Sequence, residues 1–191
     1  MAIRTLEKIT TLPIFVHVVL AVGAMAGFRA AKNRLDASYI ASGHPVDYVV
    51  GQTSFSGPQI KEYYAVMTEG GTLDVYRTTQ MIDFGFIAAI AALGLFLSTV
   101  IARLSRDRSW GYHVGLWSGV ALIAGALCDA IENLISFVML SDPAGFADWL
   151  AYPYSAFAVA KFALITLGMS LALLSLLLAA AGRVIDQPGI G

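Results

Sequence analysis

The chain has 191 residues, enough for one domain, with 58% hydrophobic and 13% charged residues and a net charge of -1. With a mean hydropathy of +0.72 this is too apolar for a soluble globule, so the surplus needs lipid as its solvent. The near-neutral balance, with no basic run beyond Arg103 to Arg108, excludes a nucleic-acid footprint. Cys128 is the only cysteine, which excludes an intramolecular disulfide and a thiolate-rich metal site.

A helix rises about 1.5 Å per residue and the hydrocarbon core is about 30 Å thick, so roughly 20 apolar residues cross it. The first such stretch runs from about Leu12 to Phe28. Arg4 and Lys8 precede it, and Ala24-Met25-Ala26 has the small-x-small spacing of a signal peptidase site. The run is long for a signal segment and contains Pro13 and His17, so the expectation is a retained anchor.

A polar connection spans about 29 to 79. Within it Ser56-Gly57-Pro58-Gln59 sets a capping serine three residues before a glutamine, with Pro58 in the first turn, and Gly70-Gly71 supplies the stop. This predicts a short helix over Gly57 to Glu69, with Ile60, Tyr63, Tyr64 and Met67 at helical spacing; a packed loop is preferred to a lid. Thr72 is a candidate cap that lets the second long helix begin early.

The remaining spans are expected at about Met81 to Leu104, Tyr112 to Leu140 and Trp149 to Ala181. The predicted fold is thus an all-α integral membrane protein, a single domain forming a four-transmembrane-helix bundle with a long polar loop between helices one and two. Arg103, Arg106 and Arg108 crowd the connection after the second span, whereas Asp142 and Asp148 occupy that after the third. By the positive-inside rule both termini are expected to be cytoplasmic, in a cell (inner) membrane, although Arg29, Lys32 and Arg34 fall on the supposed outer side.

Ionisable groups inside a bilayer cost about 2.5 to 3.5 kcal/mol each near its centre, so each one calls for a partner or a purpose. Asp83 opens the second span, Asp129, Glu132 and Asn133 lie in the third, and Lys161 lies in the fourth. Asp129, Glu132, Asn133 and Ser136 share one helical face. Counted from Arg103, His113 and Arg183, the positions Asp83, Asp129 and Lys161 are 20, 16 and 22 residues away, or about 24 to 33 Å. Alternating chain direction therefore brings them to one level, where Tyr152 and Tyr154 are expected to roof Lys161. Three carboxylates then face one ammonium unless Arg77 joins, and a proton shared between Asp129 and Glu132 is expected.

His17, His44 and His113 have no spacing for a haem or zinc clamp, so neither cofactor nor metal is expected. Gly115, Gly119 and Gly125 read as close helix packing.

Asp83, the Asp129-Ala130-Ile131-Glu132-Asn133 run and Lys161-Phe162 resemble the pattern of a set of uncharacterised small bacterial four-helix membrane proteins. The resemblance covers roughly Tyr76 to the end of the fourth span and implies a membrane fold without a particular activity. A looser likeness to the sterol isomerase and sigma-2 receptor-like fold lacks the Trp and His pattern of those isomerases, so their activity is not carried over. The leading expectation is a protein that binds or transports a membrane lipid or small amphipathic ligand, with its polar or cationic head on the acids. Two other classes stay open. One is an intramembrane enzyme using Asp129 or Glu132 as general acid and base, with Lys161 stabilising an oxyanion or forming a Schiff base. The other is an accessory subunit with a protein partner or a homo-oligomer, its polar cluster a register lock.

Overall fold

The computed structural model describes residues 2–185, and among these no strand occurs. Seven helices occur in the order α1 (Ala2–Thr10), α2 (Ile14–Ala41), α3 (Tyr48–Gln52), α4 (Gly57–Glu69), α5 (Leu73–Arg103), α6 (Trp110–Ser141) and α7 (Ala151–Ile185), the last entered through a 3-10 turn at Asp148–Leu150. By length and composition α2, α5, α6 and the run into α7 can each cross a membrane. Their surfaces agree with a lipid solvent: Phe15, Val22, Leu127, Leu134, Leu173 and Leu177 face outward, while Asp129, Glu132, Asn133 and Lys161 are buried. The chain reads as a multi-pass membrane protein.

Several elements differ from their sequence expectation. α1 lies outside the expected elements, because nine residues with one buried side chain, Leu6, and Ile3 and Ile9 packed beside it are far too short an apolar run to stand out as a span. Pro13 separates it from α2 at the place where its missing N–H costs nothing, with its carbonyl accepting from the His17 amide. α2 runs to Ala41 instead of ending near Phe28. Its last turns are polar helix held by a Lys32–Asp36 ion pair at 2.7 Å, which hydropathy alone reads as loop. The connection to α5 is therefore 42–72 and includes α3, capped by Asp47.

α4 forms with the Ser56 hydroxyl accepting from the Gln59 amide, but Gln59 turns its side chain to Glu62 instead of closing a capping box. Gly71, at φ 68°, ends the helix where left-handed backbone suits glycine, and Thr72 N–H returns to the Met67 carbonyl. Thr72 precedes α5 as expected, yet its hydroxyl donates to the Ser42 carbonyl at 2.6 Å and pins the loop instead of capping the helix.

The described residues fall into two compact units, each taking stretches of the long helices. Residues 2–27, 89–124 and 164–185 form one. In it Leu6 packs on Ala102, Tyr112 and Leu116. Helices α5 and α6 meet backbone to backbone at Gly94 and Gly119, and an added Cβ on Gly119 would fall 2.5 Å from the Gly94 carbonyl oxygen. Residues 28–88 and 125–163 form the other unit. Its core joins Ile60, Tyr64 and Met67 of α4 to Tyr76, Met139, Leu140, Phe146 and Tyr154, so α4 is a packed element with its apolar face spent on the core.

Candidate functional site

Helical periodicity puts Asp129, Glu132, Asn133 and Ser136 on the inward face of α6, each at most 2% exposed. Across from them α5 supplies Asp83 and α7 supplies Lys161, both buried in the same unit. Lys161 Nζ donates to Asp129 Oδ1 at 2.7 Å and also makes an ion pair with Glu132 Oε2. Its ammonium lies 5.1 Å from the Phe162 ring centre. Asp83 is not on the lysine: its Oδ2 accepts from Asn133 Nδ2 at 2.8 Å. The five residues thus divide into a lysine held between two acids and an amide held on a third.

A tyrosine layer adjoins this cluster. Tyr76 of α5, Gln80 and Asp83 have i, i+4, i+7 spacing, and Gln80 Nε2 donates to the Tyr76 hydroxyl at 2.8 Å. Tyr64 of α4 packs its ring 6.0 Å from that of Tyr76, and the Tyr154 hydroxyl lies beside the Tyr76 hydroxyl. Burial pushes the Tyr64 phenol well above its usual range, so it remains an O–H donor.

Among the described residues, Asn133 Oδ1 and Glu132 Oε1 are buried without a hydrogen-bond partner, while the buried Tyr64 and Ser136 hydroxyls lie within reach of each other and have no further partner. The second Glu132 oxygen is taken by the Lys161 ammonium. Buried polar groups are almost always paired, since an unpaired one costs about 1 to 3 kcal/mol, so two open acceptors beside an under-satisfied hydroxyl pair require an explanation. Chemically the patch offers two open acceptor oxygens, Glu132 Oε1 and Asn133 Oδ1, and two hydroxyls that both donate and accept.

Of the residues singled out from sequence, Asp83, Asp129, Glu132, Asn133 and Lys161 come together and Tyr154 adjoins them. Tyr152 does not: it is 62% exposed. Two residues two apart on a helix point roughly 200° away from each other, so only one of the pair can face inward. Arg77 stays outside as well, paired with Asp74 at 2.5 Å and donating to the Leu140 carbonyl at 2.8 Å. Tyr64, Tyr76 and Gln80 join the site beyond the residues expected there, and the 76, 80, 83 spacing is the signal in the sequence that points to the last two. Among the described residues no three His, Cys, Asp or Glu side chains are grouped to hold a metal ion. No family model, no curated protein and no solved structure matches the chain.

Proposed function

We propose that this protein binds or transports a lipid or small amphipathic molecule whose hydrogen-bond-donating head, an ammonium or hydroxyl, is held by Glu132, Asn133, Ser136 and Tyr64. The observation that carries this reading is the pair of buried acceptors with no partner, Glu132 Oε1 and Asn133 Oδ1, set beside the Tyr64 and Ser136 hydroxyls, which have only each other. A register lock works only when each of its members is satisfied, because a half-satisfied network is worse than an apolar core. A binding site leaves acceptors free for its occupant. The surplus of acceptors over donors selects a donor-rich head over an anionic one.

The same reading places the chain in a bacterial inner membrane with both termini cytoplasmic. Arg103, Arg106 and Arg108 between α5 and α6, against Asp142 and Asp148 between α6 and α7, support that orientation. In a Cys128→Ser background, Arg106→Cys is expected to react only with reagents that enter the cytoplasm and Ala144→Cys with impermeant ones. Reversed labelling overturns the orientation.

The functional test is native mass spectrometry of detergent-purified wild type, Glu132→Gln and Ser136→Ala. A copurifying small molecule lost in both variants at unchanged thermal stability supports the reading. Retention in both variants, or a stoichiometric protein in place of a small molecule, overturns it in favour of an accessory subunit.

A further inference from the structure

A cleft of about 680 Å³ opens where α1 meets the connection between α5 and α6, lined in part by Glu7, Arg103, Ser105, Asp107 and Arg108. Its size falls within the usual range for small-ligand sites, about 300 to 1,000 Å³.

Arg103 is pre-organised there. Its Nη1 donates to the Leu12 carbonyl at 2.6 Å and to His17 Nδ1 at 3.2 Å. Because arginine only donates, His17 accepts at Nδ1 and carries its proton on Nε2, which donates to Thr99 Oγ1 at 2.7 Å. Thr99 passes its own hydrogen to the Leu95 carbonyl at 2.6 Å. This chain fixes one edge of the guanidinium and leaves its remaining N–H groups for the cleft. Arg108 is held at φ 58°, a costly backbone for a residue with a Cβ and one that concentrates at functional sites. The Ser105 hydroxyl is buried without a hydrogen-bond partner among the described residues.

The charges of the cleft do not satisfy one another. Among the described residues Glu7 and Asp107 form no ion pair with Arg103 or Arg108, although all four line the same space. Two cations and two anions kept apart in one cleft make a surface complementary to a zwitterion. Its cationic side, two guanidiniums and a hydroxyl, exceeds what the two oxygens of a carboxylate can use and suits a tetrahedral phosphate. Its anionic side consists of acceptors, which a primary ammonium with three N–H groups fills and a quaternary ammonium does not.

We propose that this cleft binds a phosphate ester carrying a primary amine, the head-group chemistry of phosphatidylethanolamine and of free phosphoethanolamine. The arginines and Ser105 take the phosphate, and Glu7 and Asp107 take the ammonium.

The test is a native mass spectrometry titration of the full, delipidated chain with phosphatidylethanolamine, phosphatidylcholine and phosphatidylglycerol of identical acyl chains. Phosphatidylethanolamine is expected to bind about tenfold or more tightly than either of the others, the value of one charge-assisted hydrogen bond. Glu7→Gln with Asp107→Asn, both at exposed positions, is expected to lower it to the phosphatidylcholine level without changing phosphatidylcholine binding. Arg108→Ala is expected to weaken all three lipids, and Arg108→Lys to restore part of the loss. Displacement by free phosphoethanolamine assigns a soluble ligand, whereas retention against it assigns the lipid, and either accords with the site. Affinities equal within about twofold, or a preference that survives the double carboxylate change, overturn the proposal.

Discussion

Lys161 Nζ sits 2.7 Å from Asp129 Oδ1 and at the same time against Glu132, so one ammonium on α7 serves two acids a helical turn apart on α6. All three side chains are at least nineteen-twentieths buried. Removing the cation therefore strands both acids. Lys161→Met is expected to lower unfolding stability in detergent by about 3 to 5 kcal/mol, with protonation of the acids recovering part of it. Glu132→Gln keeps shape and polarity and is expected to leave the midpoint unchanged or raised. Lys161→Met unfolding at the wild-type midpoint would show that the pair is not formed.

The Asp83–Asn133 contact is a second element, since Asn133 donates to Asp83 and the Lys161 ammonium makes its ion pairs with Asp129 and Glu132 instead. A double-mutant cycle of Asp83→Asn and Asn133→Ala is expected to give a coupling of about 1.5 to 3 kcal/mol, the range for a hydrogen bond to a charged group. The same cycle between Asp83 and Lys161 is expected to give less. Equal couplings in the two cycles would merge the pairs into one network.

Gly57 opens α4 directly on the 3-10 turn before α7. A Cβ there would lie 2.6 Å from the Asp148 Cα, a backbone atom that cannot swing aside. Gly57→Ala is expected to cost about 1 to 3 kcal/mol and to weaken the neighbouring Lys61–Asp148 ion pair, seen at 2.7 Å. Gly85, in mid α5, meets nothing within 4 Å, so Gly85→Ala is expected to be neutral or to stabilise by up to about 1 kcal/mol. Thermal melts of both variants check the contrast.

His44 lies in the loop between α2 and α3, its ring 5.2 Å from those of Tyr39 and Tyr63 and 5.4 Å from that of Tyr76. Its Nδ1 donates to the Val46 carbonyl at 2.9 Å. Burial among these rings lowers its pKa, a shift that the Val46 hydrogen bond and nearby Asp47 only partly oppose. A histidine with a depressed folded pKa stays neutral after its unfolded counterpart, near pH 6.5, has taken a proton. The unfolded state then binds more protons, so stability is expected to fall as pH drops from about 6.5 toward the folded pKa and to level off below it. His44→Gln should flatten that part of the profile. A variant that keeps the wild-type slope between pH 7 and 5 assigns it to another group.

Local pattern by itself determined the four apolar spans, the α4 boundaries and the polar face of α6. Length against bilayer thickness, capping residues and a 3.6-residue period are properties of contiguous sequence. Hydropathy undercounted helix where the signal was charge pairing, at Lys32 and Asp36, or a short run of inward residues, at Ile3, Leu6 and Ile9. Only the tertiary structure decided that Lys161 takes Asp129 and Glu132 while Asp83 goes to Asn133. It alone put Tyr154 inside and Tyr152 out, and it left Glu132 Oε1 and Asn133 Oδ1 without partners beside the Tyr64 and Ser136 hydroxyls. Those choices depend on the rotation and axial offset of helices from distant parts of the chain. Such offsets are set by contacts like that of Gly94 with Gly119 and of Tyr64 with Tyr76, whose partners lie 25 and 12 residues apart and are not encoded in either segment alone.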